Sequence, residues 1–393
     1  RVRSAATFIL NPPGPFSADQ HRARLALAHL VRYAQPGHPR FFLGVGFVET
    51  HSIRERVCHL EVIPHGARRK AASSPPSRGT EPLPPLITWP NFDFWRTQTE
   101  LERRQAIGDY YACASHVDGT VGALLNALDA LELTSSTAVV LHGDHGFSLG
   151  RHGRWSKYNL FEDAVRVPLI MAVPGTPARV VSDVVESLDV LPTILDLWGV
   201  RRHAGATPRQ PLDGTGLDHI VADGSIHLYE HHGHAVVVEG ESLMPYFGGV
   251  QRRRKHHARS ELHLPCGLGC CMLNQPYDGL PPGYTRTPTV GPVVQLYVRT
   301  RRWSFTAIFL GTLPLPRGAV RLVDEALYDM QADPVESRNL AYFRSHASTR
   351  HRLLQLVLRG WNITLPSSQL NESRWQRAEA LRVQTGYRQN WWK

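Results

Sequence analysis

No uninterrupted apolar run in these 393 residues approaches the roughly 20 that a helix needs to cross a bilayer, which excludes a helical membrane span. Cysteine is sparse. Only Cys58, Cys113, Cys266, Cys270 and Cys271 occur, without a pair of CxxC motifs, so neither a zinc site nor a disulfide scaffold is indicated, and a single late bridge is the most the spacing suggests. Lysine is scarcer still: Lys70, Lys157, Lys255 and Lys393 stand against forty arginines, so an arbitrary basic position is most often Arg and each Lys becomes informative. The chain begins Arg1-Val2-Arg3-Ser4 instead of with Met, and the apolar patch Ala5 to Leu10 is too brief for the core of a secretory signal; the expectation is a removed leader or a missing N-terminal segment. Acidic residues are outnumbered, giving a formal charge of +10 that concentrates anionic partners without choosing among sulfated sugars, nucleic acid and acidic lipids. The densest basic run, Arg252 to Arg259, reads as a solvated loop.

What is present is an alternation of helix and strand patterns. With 42% apolar residues the chain can build a sizeable core, and its length suggests two lobes. Ser17 is a plausible N-cap for a helix that Gln35-Pro36-Gly37 stops. Phe41 to Gly46, Thr137 to Leu141 and Val167 to Val173 are short apolar runs expected of strands buried on both faces. The clearest helix pattern runs from about Thr99 to Leu131, and another from Val184 to Trp198 with Gly199 as its stop. These predict an α/β fold with a mostly parallel central sheet flanked by helices over residues 1–222. From 223 to 393, runs such as Val236-Val237-Val238, Val293 to Arg299 and Trp303 to Phe309, with a helix from about Ser345 to Leu358, predict a smaller C-terminal α+β lobe. Arg68 to Pro85 reads as a long irregular loop.

The chemistry concentrates in Gly143-Asp144-His145-Gly146-Phe147-Ser148-Leu149-Gly150-Arg151-His152-Gly153-Arg154-Trp155-Ser156-Lys157-Tyr158, directly after a predicted strand. Open α/β sheets place ligands at such strand ends. A carboxylate there can ligate a hard cation, the glycines let substrate approach the backbone, and Lys157 can neutralise a bound anion as a point charge. A lone Asp-His-Gly would more simply cap a turn, but the whole string favours a site for sulfate or phosphate esters.

This string, followed by Val167-Pro168-Leu169-Ile170 and Val173-Pro174-Gly175, resembles the metal-and-sulfate segment of type I sulfatases, the iduronate-2-sulfatase-like branch above all. Supporting pieces follow the family order: Phe41 to Gly46 leading to His51, Leu188-Asp189-Val190-Leu191-Pro192-Thr193, Leu212-Asp213-Gly214, and Ala326-Leu327-Tyr328-Asp329-Met330 with Asp333-Pro334, Glu336 and Asn339. The resemblance implies an alkaline-phosphatase-like fold and a sulfuric ester hydrolase acting on a sulfated sugar or glycosaminoglycan. Asp144 and His145 would be ligands of one divalent metal, usually Ca²⁺. Lys157 would bind the sulfate and, with His51 as candidate acid, serve catalysis, while Phe147 and His152 would contact substrate. The partners implied are a sulfated carbohydrate and the formylglycine-generating enzyme, with no nucleic acid. A lysosomal or secreted location follows, and the sequons at Asn362 and Asn371 are the candidate glycosylation sites.

Three departures qualify the likeness. The expected Lys-Pro-His reads Glu49-Thr50-His51, exchanging a cation for a carboxylate; Arg151 stands where a glutamate is common; and no cysteine lies in the Cys-x-Pro-Ser-Arg context that yields formylglycine, which is therefore expected from a missing upstream segment. Ser74-Pro75-Pro76-Ser77-Arg78 fits the serine form of that motif, but it stands in the wrong order, in a stretch where composition alone produces such strings. Glu230-His231-His232-Gly233-His234 lacks metal-ligand spacing and reads as a polar loop. The alternative reading is an inactive relative or fragment that binds sulfated polyanions.

Overall fold

A computed structural model describes residues 5–6, 18–51, 99–153, 157–199, 226–231, 234–248, 255–264, 293–311, 320–372, 376 and 377. It divides into two compact units, one formed by residues 1–77, 94–142 and 169–176, the other by 78–93, 143–168 and 177–393. The Arg68 to Pro85 stretch, the Ser74 to Arg78 string and Leu212-Asp213-Gly214 lie outside the described residues.

In the first unit, α1 (Ala18–Tyr33) and α2 (Glu100–Ala130) realise the two predicted helices almost to the residue. The strands are shorter than their apolar runs. β1 (Ala5–Ala6) pairs in parallel with β2 (Phe42–Leu43), whereas β3 (Val139–His142) and β4 (Leu169–Ala172) pair antiparallel. Parallel pairing is thus seen among the described residues only between β1 and β2, and the expected burial on both faces is not met at β4, where Ile170 is 60% exposed. Cys113 of α2 is disulfide-bonded. The other four cysteines, and with them the expected late bridge, lie outside the described residues.

The second unit is built on an antiparallel sheet in the order β10-β9-β8-β7, comprising β7 (His257–Leu264), β8 (Val293–Thr300), β9 (Trp303–Leu310) and β10 (Arg321–Asp329). Side chains alternate across a strand, so an almost continuous apolar run requires cover on both faces. Both covers are present. Val294, Leu296 and Val298 pack with Leu353, Leu354, Val357 and Leu358 of α6 (Ala347–Gly360), whose spacing keeps them on one helix face. On the opposite face Val293, Ile308, Val323 and Tyr328 pack with Phe161, which arrives from the loop between β3 and β4. Each such fully buried side chain contributes about 1.5–3 kcal/mol.

Preceding this sheet, the short helix α3 (Glu162–Val165) is followed by the predicted helix at 184–198, which splits into a 3-10 turn, Ser187–Asp189, and α4 (Val190–Leu197), and then by the short α5 (Met244–Phe247). The Leu188-Asp189 motif proves structural. Asp189 accepts bonds from the backbone N–H groups of Glu186 and Glu241 and pairs with Lys255 at 2.6 Å, and Thr193 Oγ1 accepts from the Leu243 N–H. Glu230 to His234 falls at the end of the hairpin formed by β5 (Ile226–His231) and β6 (His234–Glu239).

Candidate active site

The antiparallel pairing of β3 with β4 makes everything from Gly143 to Pro168 one long loop, whose base is closed by the Gly143 N–H donating to the Pro168 carbonyl at 3.1 Å. Asp144, His145, Phe147, His152 and Lys157 all lie on it, in the second unit, whereas His51 belongs to the first.

Asp144 is 84% exposed, and its Oδ1 accepts from the His145 backbone N–H at 2.9 Å. The His145 ring places Nδ1 2.9 Å from the Gly146 carbonyl, to which it donates, and Nε2 3.5 Å from Asp144 Oδ2; only the neutral ring offers Nε2 as a lone-pair donor. Partial burial pushes the Asp144 carboxyl up, but the His145 N–H and the nearby charges of His145 and Lys157 outweigh it and hold the group below the ordinary carboxylate range. Nε2 and Oδ2 are thus neighbours at 3.5 Å. A calcium ion takes six to eight oxygens. Among the described residues no group of three ligating side chains forms, so this pair supplies only two of the ligands that such an ion takes.

His152 sits in the left-handed region at φ 52°, ψ 25°, which costs a non-glycine residue about 1 kcal/mol or more. It is held there by stacking on Phe161, ring centroids 3.9 Å apart and 13° from parallel. Phe161 is itself buried against Tyr328 of β10, so the ring position is set by the C-terminal sheet. Lys157 and Phe147 are half-buried in the same loop.

Beneath these groups lies a polar core that the sequence reading missed. Ser148 is fully buried and donates to Asp163 Oδ1 at 3.0 Å; Asn159 donates to Ser148 Oγ at 3.0 Å and accepts from the Phe161 N–H. Gly146 donates its N–H to the Ala164 carbonyl at 2.7 Å, and a Cβ there would overlap the Asp163 carbonyl oxygen, so only glycine fits. Burial pushes the Asp163 carboxyl up despite the bond from Ser148 and the charge of Arg151. Next to it, Glu162 binds Arg299 at 2.9 Å and Tyr297, and its backbone N–H donates to Glu336, which also contacts Ser304 at 2.5 Å. Burial pushes Glu336 up to about 8, helped by the charges of Glu162 and Asp163. The signal available in the sequence was weak: Ser148 and Asn159 are polar residues flanking glycines and an apolar pair, and Glu336 belonged to a motif without an assigned role.

His51 is exposed on a turn closed by its own N–H to the Val48 carbonyl at 2.8 Å. Asp19 clamps that turn by accepting from the N–H groups of Val48 and Glu49 at 2.9 to 3.0 Å. Glu49, which stands at the family's lysine position, is buried and paired with His116 of α2, so its carboxylate is withdrawn from solvent. Asn362 is exposed in a turn after α6, whereas the Asn371 backbone lies in a short helix, Ser367–Asn371.

A cleft of about 220 Å³ in the second unit is lined by Asp183, Val184, Lys255, His256, Thr300, Arg301 and Arg302 and includes none of the loop residues. Lys255 is neutralised by Glu186 and Asp189, and Arg302 by Asp329 at 2.6 Å. Two of its basic lining residues are therefore committed to carboxylates.

Comparison with known proteins bears on the family and the fold. Residues 9–200 match the family model described as Sulfatase. The chain is 34% identical over 155 residues to a sulfatase of Formosa agariphila, 35% over 136 residues to human iduronate 2-sulfatase, and 36% over 251 residues to choline-sulfatase of Rhizobium meliloti. These matches cover 38%, 28% and 64% of this chain but only 30%, 24% and 35% of those relatives, so the chain spans about a third or less of their length. Among solved structures, a 2-O glycosaminoglycan sulfatase superposes with a TM-score of 0.53 at 20% identity, over 94% of this chain and 71% of that one. A phosphonate monoester hydrolase of Agrobacterium radiobacter gives 0.52 at 17%, over 88% and 61%. That both chemistries share the architecture means that these superpositions establish the α/β fold and not the reaction. On the family match and the sequence relatives together, residues 9–200 of this chain are similar to sulfatases, and the superposed structures show an α/β fold of the same kind.

Proposed function

We propose that this chain carries the sulfate-binding half of a sulfuric ester hydrolase acting on a sulfated sugar, and that residues 1–222 are part of its catalytic domain and 223–393 its C-terminal subdomain. The observation that carries the reading is the single loop on which Asp144, His145, His152 and Lys157 are held together by a buried polar core. Lys157 supplies a compact positive charge against the sulfate oxygens, the role in which an ammonium is most effective. His152 and Phe147 contact the sugar, and the family pattern gives His51 the part of general acid, a task suited to imidazole near neutral pH. Asp144 and His145 contribute two ligands to a divalent metal, calcium in the family pattern, whose remaining ligands come from elsewhere. When bound, the metal supplies Lewis-acid charge balance.

The nucleophile is a formylglycine, made by its generating enzyme, in a part of the protein outside these 393 residues. The disulfide at Cys113 supports a secreted or lysosomal setting, since such bridges persist in oxidising compartments, and the exposed Asn362 supports glycosylation there. One observation favours a second reading, a non-catalytic binder of sulfated polyanions: burial of Glu49 where the family has a lysine removes a cation from the substrate's surroundings.

Sulfate release from a sulfated uronate disaccharide by the natural protein separates the two readings. Asp144→Ala and Lys157→Ala are expected to lower turnover by at least a thousandfold with circular dichroism unchanged. Normal turnover in either variant would sink the site assignment, and binding of the sugar without turnover in the wild type would leave only the second reading.

A further inference from the structure

We propose that Asp163, acting through Ser148, is the positioning residue that sets the geometry of the loop bearing Asp144, His152 and Lys157; the inference rests on the sulfatase reading of that loop. The loop is tied across itself at three levels: Gly143 to Pro168, Gly146 to Ala164, and Ser148 to Asp163. The first two ties are backbone bonds near the base. The third is made by side chains alone and is the one that reaches toward His152 and Lys157, because Ser148 also receives the Asn159 amide, two residues beyond Lys157. Asp163 is delivered from a fixed platform, since its neighbour Glu162 is bound to Arg299 and Tyr297 of β8.

The chemistry of the choice is telling. One oxygen of the Asp163 carboxyl accepts from Ser148, while the other is buried with no hydrogen-bond partner among the described residues. A half-satisfied buried carboxyl works against folding, and a residue kept for stability alone would be smaller and apolar. Destabilising groups of this kind are retained where the site needs them. The two roles therefore make opposite forecasts. A structural residue, once removed, lowers melting temperature and function together; a positioning residue held at a cost to stability lowers function while melting temperature stays level or rises.

The test uses the full chain, inorganic sulfate as the probe in equilibrium dialysis, hydrogen exchange of peptides within 143–150, and thermal melts, on wild type, Asp163→Ala, Ser148→Ala, Asp163→Asn and Lys157→Ala. Asp163→Ala is expected to speed exchange in 143–150 at least tenfold, leave exchange in 293–310 unchanged, weaken sulfate binding about tenfold and keep or raise the melting temperature. Ser148→Ala should reproduce the exchange and binding changes. Asp163→Asn, which retains an acceptor for Ser148, should recover most of the loss. The proposal is overturned if exchange in 143–150 does not change, if Asp163→Ala binds sulfate normally while Lys157→Ala does not, or if the melting temperature and sheet protection fall with binding. A wild type that binds no sulfate would instead defeat the functional reading, and the exchange arm alone would then decide Asp163.

Discussion

Two sheets in this molecule are written in nearly the same alphabet and have different fates. Val139-Val140-Leu141 and Leu169-Ile170-Met171 form a two-stranded pair whose side chains are half-buried or exposed, whereas Val293 to Val298 and Phe305 to Phe309 lie in a four-stranded sheet and are almost wholly buried. Apolarity alone does not bury a strand. The second sheet has α6 on one face and Phe161 on the other, and it is this double cover that converts a hydrophobic run into stability.

The largest expected effect tests that contrast at its strong end. Phe305 is fully buried, and Phe305→Ala should cost about 3–5 kcal/mol in urea unfolding, the range for a large side chain removed from a packed core. A cost below about 1 kcal/mol would mean that the sheet relaxes around the cavity and is not the rigid half of the molecule.

The next effect is a pH dependence at the seam between the C-terminal sheet and the loop. Glu336 is held to about 8 in the folded chain, against 4.5 as its ordinary value. Below pH 4.5 both states carry the proton. Between 4.5 and 8 the unfolded chain has released it and the folded chain has not, so this group makes stability fall as pH rises, and the loss levels off above 8. Glu336 accepts from both Ser304 Oγ and the Glu162 N–H; Glu336→Gln keeps one acceptor, turns an amide N–H toward the other partner and does not titrate, so it should remove that slope. The stability of wild type relative to the variant is expected to fall by about 2–4 kcal/mol from pH 5 to pH 8; a difference independent of pH would contradict the assignment.

Smaller again is the effect at the loop base. Gly146→Ala forces a methyl group against the Asp163 carbonyl and should cost about 1–3 kcal/mol, with faster exchange in 143–150. Smallest is Ile170→Ala on the exposed pair, where a change within about 0.5 kcal/mol is expected. A cost like that of Phe305→Ala would erase the difference between the two sheets.

How much of this was legible in the sequence depended on whether the determining contacts were local. Periodicity located α1, α2 and α6 to within a few residues because helix formation depends on neighbours three and four positions away. The strands at Val139 and Leu169 were both visible, but their antiparallel pairing was not, because an apolar run carries no record of which strand it meets. Asp144, His152 and Lys157 were found because chemistry-bearing residues clustered along the chain. Ser148, Asp163 and Glu336 were not, because their roles arise only when segments distant in sequence are brought together and buried. Glu49 shows the same limit from the other side: a residue that reads as an intruding charge is a buried partner of His116, which lies 67 positions away.

The most direct test of the central claim is a crystal of this protein soaked with inorganic sulfate. The account predicts sulfate within hydrogen-bond reach of the Lys157 ammonium, on the loop that Asp163 braces. Sulfate bound in the cleft beside Lys255 and Arg301, with the Lys157 loop left bare, would contradict it.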